Sequence, residues 1–247
     1  MNGKIPDISV IVLCYRSEGI IRPFVEQLIS SLEKIDSHCE IILVANYFEQ
    51  TGDKTPEIVE ELASRDKRIQ SVIKVKEGMM GWDMKSGLEV ATGRYLAVID
   101  GDGQMPAEDV VRVYKKLMEE NLDLVKTYRS HRDDGLYRIF ISMTYNVIFK
   151  ILFPGLGCRD INSKPKIMRR EVYERMDLQS NGWFIDAEIM IHSRKMRLNV
   201  GEIPTTFKSI CSRPSFVKFS AVVEFVGNLL LYRFMEFWKG CSKNKLD

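Results

Sequence analysis

The chain has 247 residues, of which 45% are hydrophobic and 28% are charged, and its formal net charge is +2. This composition fits one compact domain and excludes disordered, collagen-like and disulfide-framework proteins. At this length folding buries roughly 70 to 75% of the surface of the unfolded chain, so the core needs neither a metal nor a disulfide for stability.

Short apolar runs rich in β-branched residues alternate with longer amphipathic stretches, a pattern typical of parallel strands joined by crossover helices. Strands are predicted at residues 8–14, 40–46, 69–75, 94–99, 122–127, 165–168 and 198–207. Helices are predicted at residues 20–32, 82–91, 106–120, 136–153, 184–196 and 219–238. A further helix is predicted to begin after Thr55, which would be its N-cap. Gly93 is expected to end the 82–91 helix in a left-handed conformation. These elements predict an α/β fold with a Rossmann-like, mostly parallel twisted sheet flanked by helices.

Charge is distributed unevenly along the chain. Residues 1–123 contain 15 Lys and Arg against 22 Asp and Glu, whereas residues 124–247 contain 21 against 12. A basic half is typical of proteins with an anionic partner, although a solvated basic face explains the same excess. The five cysteines form an odd set without a C-x-x-C pair, which predicts free thiols, and residues 1–8 are not expected to act as a signal peptide. We therefore expect a cytosolic protein.

Three oxygen-bearing side chains follow the predicted strand at residues 94–99. Asp100, Asp102 and Gln104 are separated by single glycines, which let the backbone approach a ligand, and an extended segment would point all three the same way. In open α/β sheets, ligands bind beyond the carboxyl ends of the strands. Two carboxylates and an amide predict a Mg²⁺ or Mn²⁺ site. A solvated acidic turn is the alternative, whereas an EF-hand is excluded because the required Gly and Glu are missing.

Two segments carry a family resemblance. No G-x-G-x-x-G follows the first strand and no G-x-x-x-x-G-K-[ST] occurs, which excludes dinucleotide dehydrogenases and P-loop NTPases. Residues 12–18, V-L-C-Y-R-S-E, resemble V-I-P-x-Y-N-E, and residues 87–104 resemble G-L-x-x-A-x-G-x-x-x-x-x-x-D-A-D-x-Q. Over residues 8–220 the chain resembles the inverting family 2 glycosyltransferases of GT-A fold, which include dolichyl-phosphate mannose synthases and related polyprenyl-phosphate glycosyltransferases.

The resemblance implies a nucleotide-sugar site. A divalent ion at Asp100, Asp102 and Gln104 would hold the donor diphosphate. The residues implied on the nucleotide side are Tyr15, Glu18, Asn46 and Asp100. The usual V-D-D-G-S after the second strand is V-A-N-Y-F at residues 44–48, so Asn46 offers an amide in place of a carboxylate.

Several cations are candidates for phosphate contacts. Lys85 lies in the predicted helix at residues 82–91, after the glycines at 78 and 81. Arg213, Ser215 and Lys218 stand in place of the family's mobile R-x-x-x-S-K loop, whose cations close on the diphosphate. Without the resemblance, each of these cations is more typical of a solvated surface charge.

The acceptor side carries a looser match. Residues 160–166, D-I-N-S-K-P-K, stand where these synthases have D-x-x-S-G-F-[RK], which implies that Asp160 and Lys164 lie on the acceptor side. Lys164 and Pro165 replace Gly and Phe, so a different acceptor pocket is expected. A turn or helix cap is the alternative for Asp160.

Residues 183–188, W-F-I-D-A-E, resemble the family's F-x-x-[DE]-x-E. If the acceptor is a hydroxyl, a carboxylate must remove its proton, and Asp186 is the first candidate, with Glu188 in reserve. An acid favoured by the helix dipole is the alternative. A lipid phosphate needs no base, and Asp186 would then position substrate or metal.

The predicted function is metal-dependent, inverting transfer of a sugar from a nucleotide-diphosphate-sugar to a polyprenyl-phosphate or a growing glycan. A sugar nucleotidyltransferase and a non-catalytic binding protein of the same fold are the alternatives. No nucleic-acid partner is expected.

Residues 1–218 are predicted to form the GT-A domain, with a nucleotide-sugar half at about 1–127 and an acceptor half at about 128–218. Residues 219–247 are predicted to form an amphipathic helix and tail. The helix at 219–238 carries Glu224, Arg233 and Glu236, so it should not span a membrane. Together with the helix at 136–153 it fits peripheral contact with a cytosolic membrane face, while packing on the sheet or across a dimer is the alternative.

Overall fold

The computed structural model describes residues 5–35, 37–133, 136–208 and 225–236. The strands are β1 (Ile8–Leu13), β2 (Cys39–Val44), β3 (Ile69–Val72), β4 (Tyr95–Asp100), β5 (Leu124–Arg132), β6 (Lys166–Arg169) and β7 (Val200–Phe207). The helices are α1 (Glu18–Leu32), α2 (Thr55–Arg65), α3 (Met80–Val90), α4 (Asp109–Glu119), α5 (Leu136–Leu152), α6 (Arg170–Glu174) and α7 (Ile185–Lys195). Residues 225–236 form a further helical segment.

The strands form one sheet in the order β3-β2-β1-β4-β6-β5-β7. β6 runs antiparallel to β4 and β5, whereas the other pairs are parallel. The prediction of a mostly parallel sheet flanked by helices is therefore confirmed. Because β6 and β7 join the sheet through β4 and β5, the two predicted halves of the domain share one sheet.

Both faces of the sheet are covered, which explains why its central strands are apolar almost throughout. Alternate residues of each strand enter different core clusters, as Ile11 and Val12 of β1 do. The first cluster contains side chains from α3, α5, α7 and the 225–236 segment. The second contains side chains from α1, α2 and α4.

Two local expectations are wrong. Gly93 does not adopt a positive φ; α3 ends earlier, at Val90, because Ala91 is already extended. A Cβ at Gly93 would lie 2.7 Å from the backbone nitrogen of Ser9, so this glycine serves a close approach to β1. Thr55 is the first residue of α2 rather than its N-cap, which is Lys54.

Candidate functional site

The carboxyl ends of β1, β2 and β4 lie side by side at one edge of the sheet. Leu13 pairs with Val44 in β2 and with Asp100, the last residue of β4. The N–H of Gly101 donates to the carbonyl of Leu13 at 2.8 Å. A Cβ at Gly101 would lie 2.8 Å from Cγ1 of Val12. This glycine therefore allows the turn to pack against β1, and its role in a ligand's approach stays a prediction.

The segment after β4 is a turn rather than the extended segment expected. Gly103 has a φ of 72°, and Oδ1 of Asp102 accepts the N–H of Gln104 at 3.0 Å. The amide of Gln104 donates to the carbonyl of Lys208 at 3.5 Å, and the N–H of Lys208 donates to the carbonyl of Gln104 at 2.9 Å. Gln104 thus joins this turn to the end of β7.

A buried ammonium group lies between a carboxylate at the end of β4 and a carboxylate of α7. Nζ of Lys164 is 3.2 Å from Oδ2 of Asp100 and 3.2 Å from Oδ2 of Asp186. It also lies 3.0 Å from Sδ of Met80, in the first turn of α3. The side chain of Lys164 is 2% exposed, and that of Asp100 is 30% exposed. The sequence assigns Asp100 to the donor diphosphate, Lys164 to the acceptor side and Asp186 to proton removal. The structure brings these three side chains into contact.

A second lysine completes this cluster. Nζ of Lys166 lies 2.5 Å from Oδ1 of Asp186. Burial would raise the pKa of Asp186, but Lys164 and Lys166 lower it below its ordinary value. Burial lowers the pKa of Lys166 to about 8, against the opposite effect of Asp186. A general base works best with a pKa near the operating pH, so Asp186 is better suited to holding the two lysines than to removing a proton.

Glu188, the second candidate for the general base, is hydrogen-bonded to the loop that contains Gln179 and Ser180. Its two carboxylate oxygens accept the backbone N–H groups of Gln179 at 2.8 Å and Ser180 at 2.9 Å. The hydroxyl of Tyr232 also donates to Glu188. Two residues along a helix turn about 200°, so Glu188 points away from the face that carries Asp186. These contacts argue against a role for Glu188 in proton transfer.

Asn46 is hydrogen-bonded to other groups of the protein. It is fully buried, its Nδ2 donates to Oδ1 of Asp83 at 3.0 Å, and its Oδ1 accepts the N–H of Lys74 at 2.8 Å. Asp83 forms a buried ion pair with Lys76, whose Nζ lies 4.3 Å from the ring centroid of Tyr15. These hydrogen bonds engage both ends of the Asn46 amide, and its contact with a nucleotide stays a prediction. Tyr15 is half-buried, whereas Asn46, Asp83 and Lys76 are buried.

The remaining nucleotide-side candidates stay predictions. Oε1 of Glu18 accepts the N–H of Lys54 at 3.0 Å, and Nζ of Lys85 donates to the carbonyl of Gln179 at 3.2 Å. Arg213, Ser215 and Lys218 lie outside the described residues.

Asp160 is part of a buried ion pair. Arg129 binds it with two hydrogen bonds, from Nε to Oδ2 at 2.6 Å and from Nη2 to Oδ1 at 2.9 Å. Burial would raise the pKa of Asp160, but the guanidinium lowers it well below its ordinary value. Lys126, also buried, donates to the carbonyl oxygen of Asp160. Asp160 thus fixes the segment that leads to Lys164.

The carboxylates at the end of β4 fit a divalent cation that is shared with a ligand. Asp100 and Asp102 offer the hard oxygen atoms that Mg²⁺ and Mn²⁺ prefer. Across the described residues, no group of three or more His, Cys, Asp or Glu is placed to hold a metal ion. An ion at Asp100 and Asp102 would therefore depend on water, on Gln104 or on ligand phosphates for its remaining positions.

Comparison with solved structures identifies the fold as GT-A. The chain superposes on glucosyl-3-phosphoglycerate synthase of Mycobacterium tuberculosis bound to UDP with a TM-score of 0.70 and 20% identity, over 92% of this chain and 80% of that one. The same enzyme with Mn²⁺, UDP and glucosyl-3-phosphoglycerate gives a TM-score of 0.67 at 20% identity, over 92% and 80% of the two chains. At this identity the likeness establishes the fold.

The family follows from the sequence match. The protein-family model described as Glycosyl transferase family 2 matches residues 9–177, and the chain belongs to this family. It is 27% identical to the undecaprenyl-phosphate 4-deoxy-4-formamido-L-arabinose transferase of Pectobacterium atrosepticum, over 71% of this chain and 53% of that protein. It is 24% identical to the dodecaprenyl-phosphate galacturonate synthase of Rhizobium johnstonii, over 70% and 50%. The chain thus spans about half the length of these relatives.

Proposed function

We propose that this chain transfers a sugar from a nucleotide-diphosphate-sugar and that the donor diphosphate binds at Asp100. The observation that carries the proposal is the cluster of Asp100, Lys164 and Asp186 at the carboxyl edge of a family 2 fold. Electrostatic stabilisation of a leaving diphosphate is the largest contribution that such a site offers.

Asp100 and Asp102, with Gln104, would hold a divalent ion, Mg²⁺ or Mn²⁺, which neutralises charge on the diphosphate. Lys208 is hydrogen-bonded to Gln104 and directly precedes the segment that contains Arg213 and Lys218. This position supports the expectation that those two cations act at the same diphosphate.

The acceptor that fits best is a polyprenyl phosphate. Two relatives are named for such lipids, and a phosphate oxygen attacks without prior removal of a proton. The low pKa of Asp186, which Lys164 and Lys166 maintain, suits an acceptor that needs no general base. A growing glycan, whose hydroxyl would need one, fits this geometry less well.

Calorimetric titration with UDP, GDP and their sugar forms, with and without Mn²⁺ or Mg²⁺, tests the donor site. We expect metal-dependent binding of one diphosphate and at least tenfold weaker binding by Asp100→Asn. The matched control is Asp123→Asn, because Asp123 precedes β5 at the opposite edge of the sheet. Equal affinities of the wild type and Asp100→Asn would refute this placement.

The same samples separate the alternatives. Turnover of a nucleoside triphosphate with a sugar phosphate would identify a nucleotidyltransferase, and binding without any transfer would identify a binding protein. Incubation of the bound donor with a short polyprenyl phosphate should give a glycolipid, detected by mass spectrometry. Exclusive transfer to a glycan hydroxyl would contradict the lipid-phosphate assignment.

We further propose that α5 and the 225–236 segment lie against a lipid surface. Side chains at helical spacing on α5 are exposed, from Phe140 at 68% to Ile151 at 72%. Leu230 and Phe234 are 54% and 61% exposed. The two helices contact each other through Tyr145 and Phe225, whose ring centroids are 5.2 Å apart, and both pack into the same core cluster on one face of the sheet. No helix among the described residues is long and apolar enough to cross a membrane.

A further inference from the structure

The strand-end carboxylate Asp100 already has a cation beside it. Nζ of Lys164 is 3.2 Å from Oδ2 of Asp100, and the lysine side chain is 2% exposed. Its second carboxylate partner, Asp186, is 1% exposed. The buried ammonium of Lys164 is thus held by two carboxylates, and a buried charge persists only while it is paired.

The charges of the four groups in ion-pair contact balance without a metal. Asp100 and Asp186 contribute two negative charges, and Lys164 and Lys166 contribute two positive charges. A divalent ion added at Asp100 would bring two further positive charges close to an ammonium whose side chain is 2% exposed. Like charges at such separations repel strongly where water is excluded.

We propose that the ammonium of Lys164 competes with a divalent cation for Asp100, so that this chain binds Mn²⁺ weakly while the two residues are in contact. The inference rests on the proposed function only in placing the ion at Asp100. Lys164 is thus a residue that sets metal affinity, and Asp186 is its second anchor.

The test is Mn²⁺ binding to the full chain without nucleotide, measured by electron paramagnetic resonance of the free ion. Lys164→Met keeps the length of the side chain and removes its charge, and we expect it to bind Mn²⁺ at least tenfold more tightly than the wild type. Lys164→Gln, which retains a hydrogen-bond donor, should act in the same direction. The double variant Asp100→Asn with Lys164→Met should lose this gain.

Two further variants guard against indirect effects. Lys116→Met is the matched control, since Lys116 pairs with Glu120 at the end of α4, and its Mn²⁺ affinity should equal that of the wild type. Asp186→Asn leaves Lys164 with Asp100 as its remaining carboxylate partner and should weaken Mn²⁺ binding severalfold. This variant tests the competition with Lys164 still present, if removal of the lysine prevents folding.

The inference is overturned if every variant of Lys164 or Asp186 that folds, as judged by circular dichroism, binds Mn²⁺ within twofold of the wild type. This result is distinguishable from failure of the proposed function because the readout needs neither donor nor acceptor. Absence of sugar transfer combined with tighter Mn²⁺ binding by Lys164→Met would leave the competition standing.

Discussion

Three lysines of the basic C-terminal half lie inside the protein. The side chains of Lys126, Lys164 and Lys166 are 0%, 2% and 1% exposed, and each lies within ion-pair distance of a carboxylate. Buried charges of this kind persist because they are paired. Part of the positive charge that the sequence suggests for a basic surface therefore neutralises carboxylates inside the protein. A lysine within an apolar strand, such as Lys126 in β5, is the sequence signal of such a buried pair.

The ion pair of Arg129 and Asp160 leads to a stability prediction. The side chains are 12% and 9% exposed, and loss of one member of a buried pair costs about 3 kcal/mol. Arg129→Met should therefore lower the free energy of unfolding by about 3 kcal/mol at pH 7, measured by urea denaturation. Arg159→Met is the control, since Arg159 is exposed over the ring of Tyr128, and it should cost less than about 1 kcal/mol.

The pH dependence of this difference has a definite sign. Because the pKa of Asp160 is lowered in the folded protein, its charge contributes stability above the ordinary carboxyl pKa near 4, and that stability is lost as the pH falls. The gap between wild type and Arg129→Met should be largest near neutral pH and should narrow as the pH falls towards the ordinary carboxyl pKa and below it. A gap that widens in acid would contradict the assignment.

At the scale of elements, the sequence predicts the positions of the strands well. It predicts short helices and the direction of strand pairing less well. Runs such as β1 and β2 are buried on both faces, so nearly every residue is apolar and the pattern is unmistakable. The five-residue helix α6 was not predicted, because a helix this short carries little periodic signal. The antiparallel direction of β6 depends on long-range pairing, which local patterns do not encode.

The candidate site was predicted as separate groups of residues rather than as one cluster. The D-G-D-G-Q motif located Asp100, but its contact with Lys164 joins residues 64 positions apart. The sequence does not predict the contact of Asp83, because the family motif has its carboxylates directly after β2. In this chain α3 supplies the carboxylate that Asn46 contacts. An acidic residue within the buried face of a helix is the signal that could have found it.

The packing of α3 on the sheet depends on a glycine. A Cβ at Gly87 would lie 2.7 Å from Cγ2 of Val44 and would also clash with Ile11. Both neighbours are β-branched and fully buried, so they have little freedom to move. Gly87→Ala should lower the free energy of unfolding by about 1–3 kcal/mol through overpacking, measured by urea denaturation.

Gly19 in α1 provides the matched control for Gly87. A Cβ at Gly19 would have no atom within 4 Å, and alanine lowers the entropy cost of forming a helix by up to about 1 kcal/mol. Gly19→Ala should therefore leave stability unchanged or raise it. Equal effects of the two substitutions would show that the close approach of α3 to β1 and β2 does not constrain this position.

For the whole molecule, the two faces of the sheet differ in what their helices present to solvent. Four large apolar side chains of α5 are more than half exposed: Phe140, Met143, Val147 and Ile151. On the opposite layer, Met118 of α4 is 47% exposed. A concentration of exposed apolar residues on one side indicates an interaction surface, and a polyprenyl-phosphate acceptor would bring that side to a membrane.

Flotation of the full chain with anionic vesicles tests this orientation. Burial of a Phe or Ile side chain contributes about 1.5–3 kcal/mol, so even with partial insertion the double substitution Phe140→Ser and Ile151→Ser should lower vesicle affinity at least about tenfold. Met118→Ser, a comparable change on the other layer, should float like the wild type. The alternative outcome is a wild-type protein that does not float but sediments as a dimer. If the double substitution Phe140→Ser and Ile151→Ser then gives a monomer, the same surface is a contact between copies of the chain.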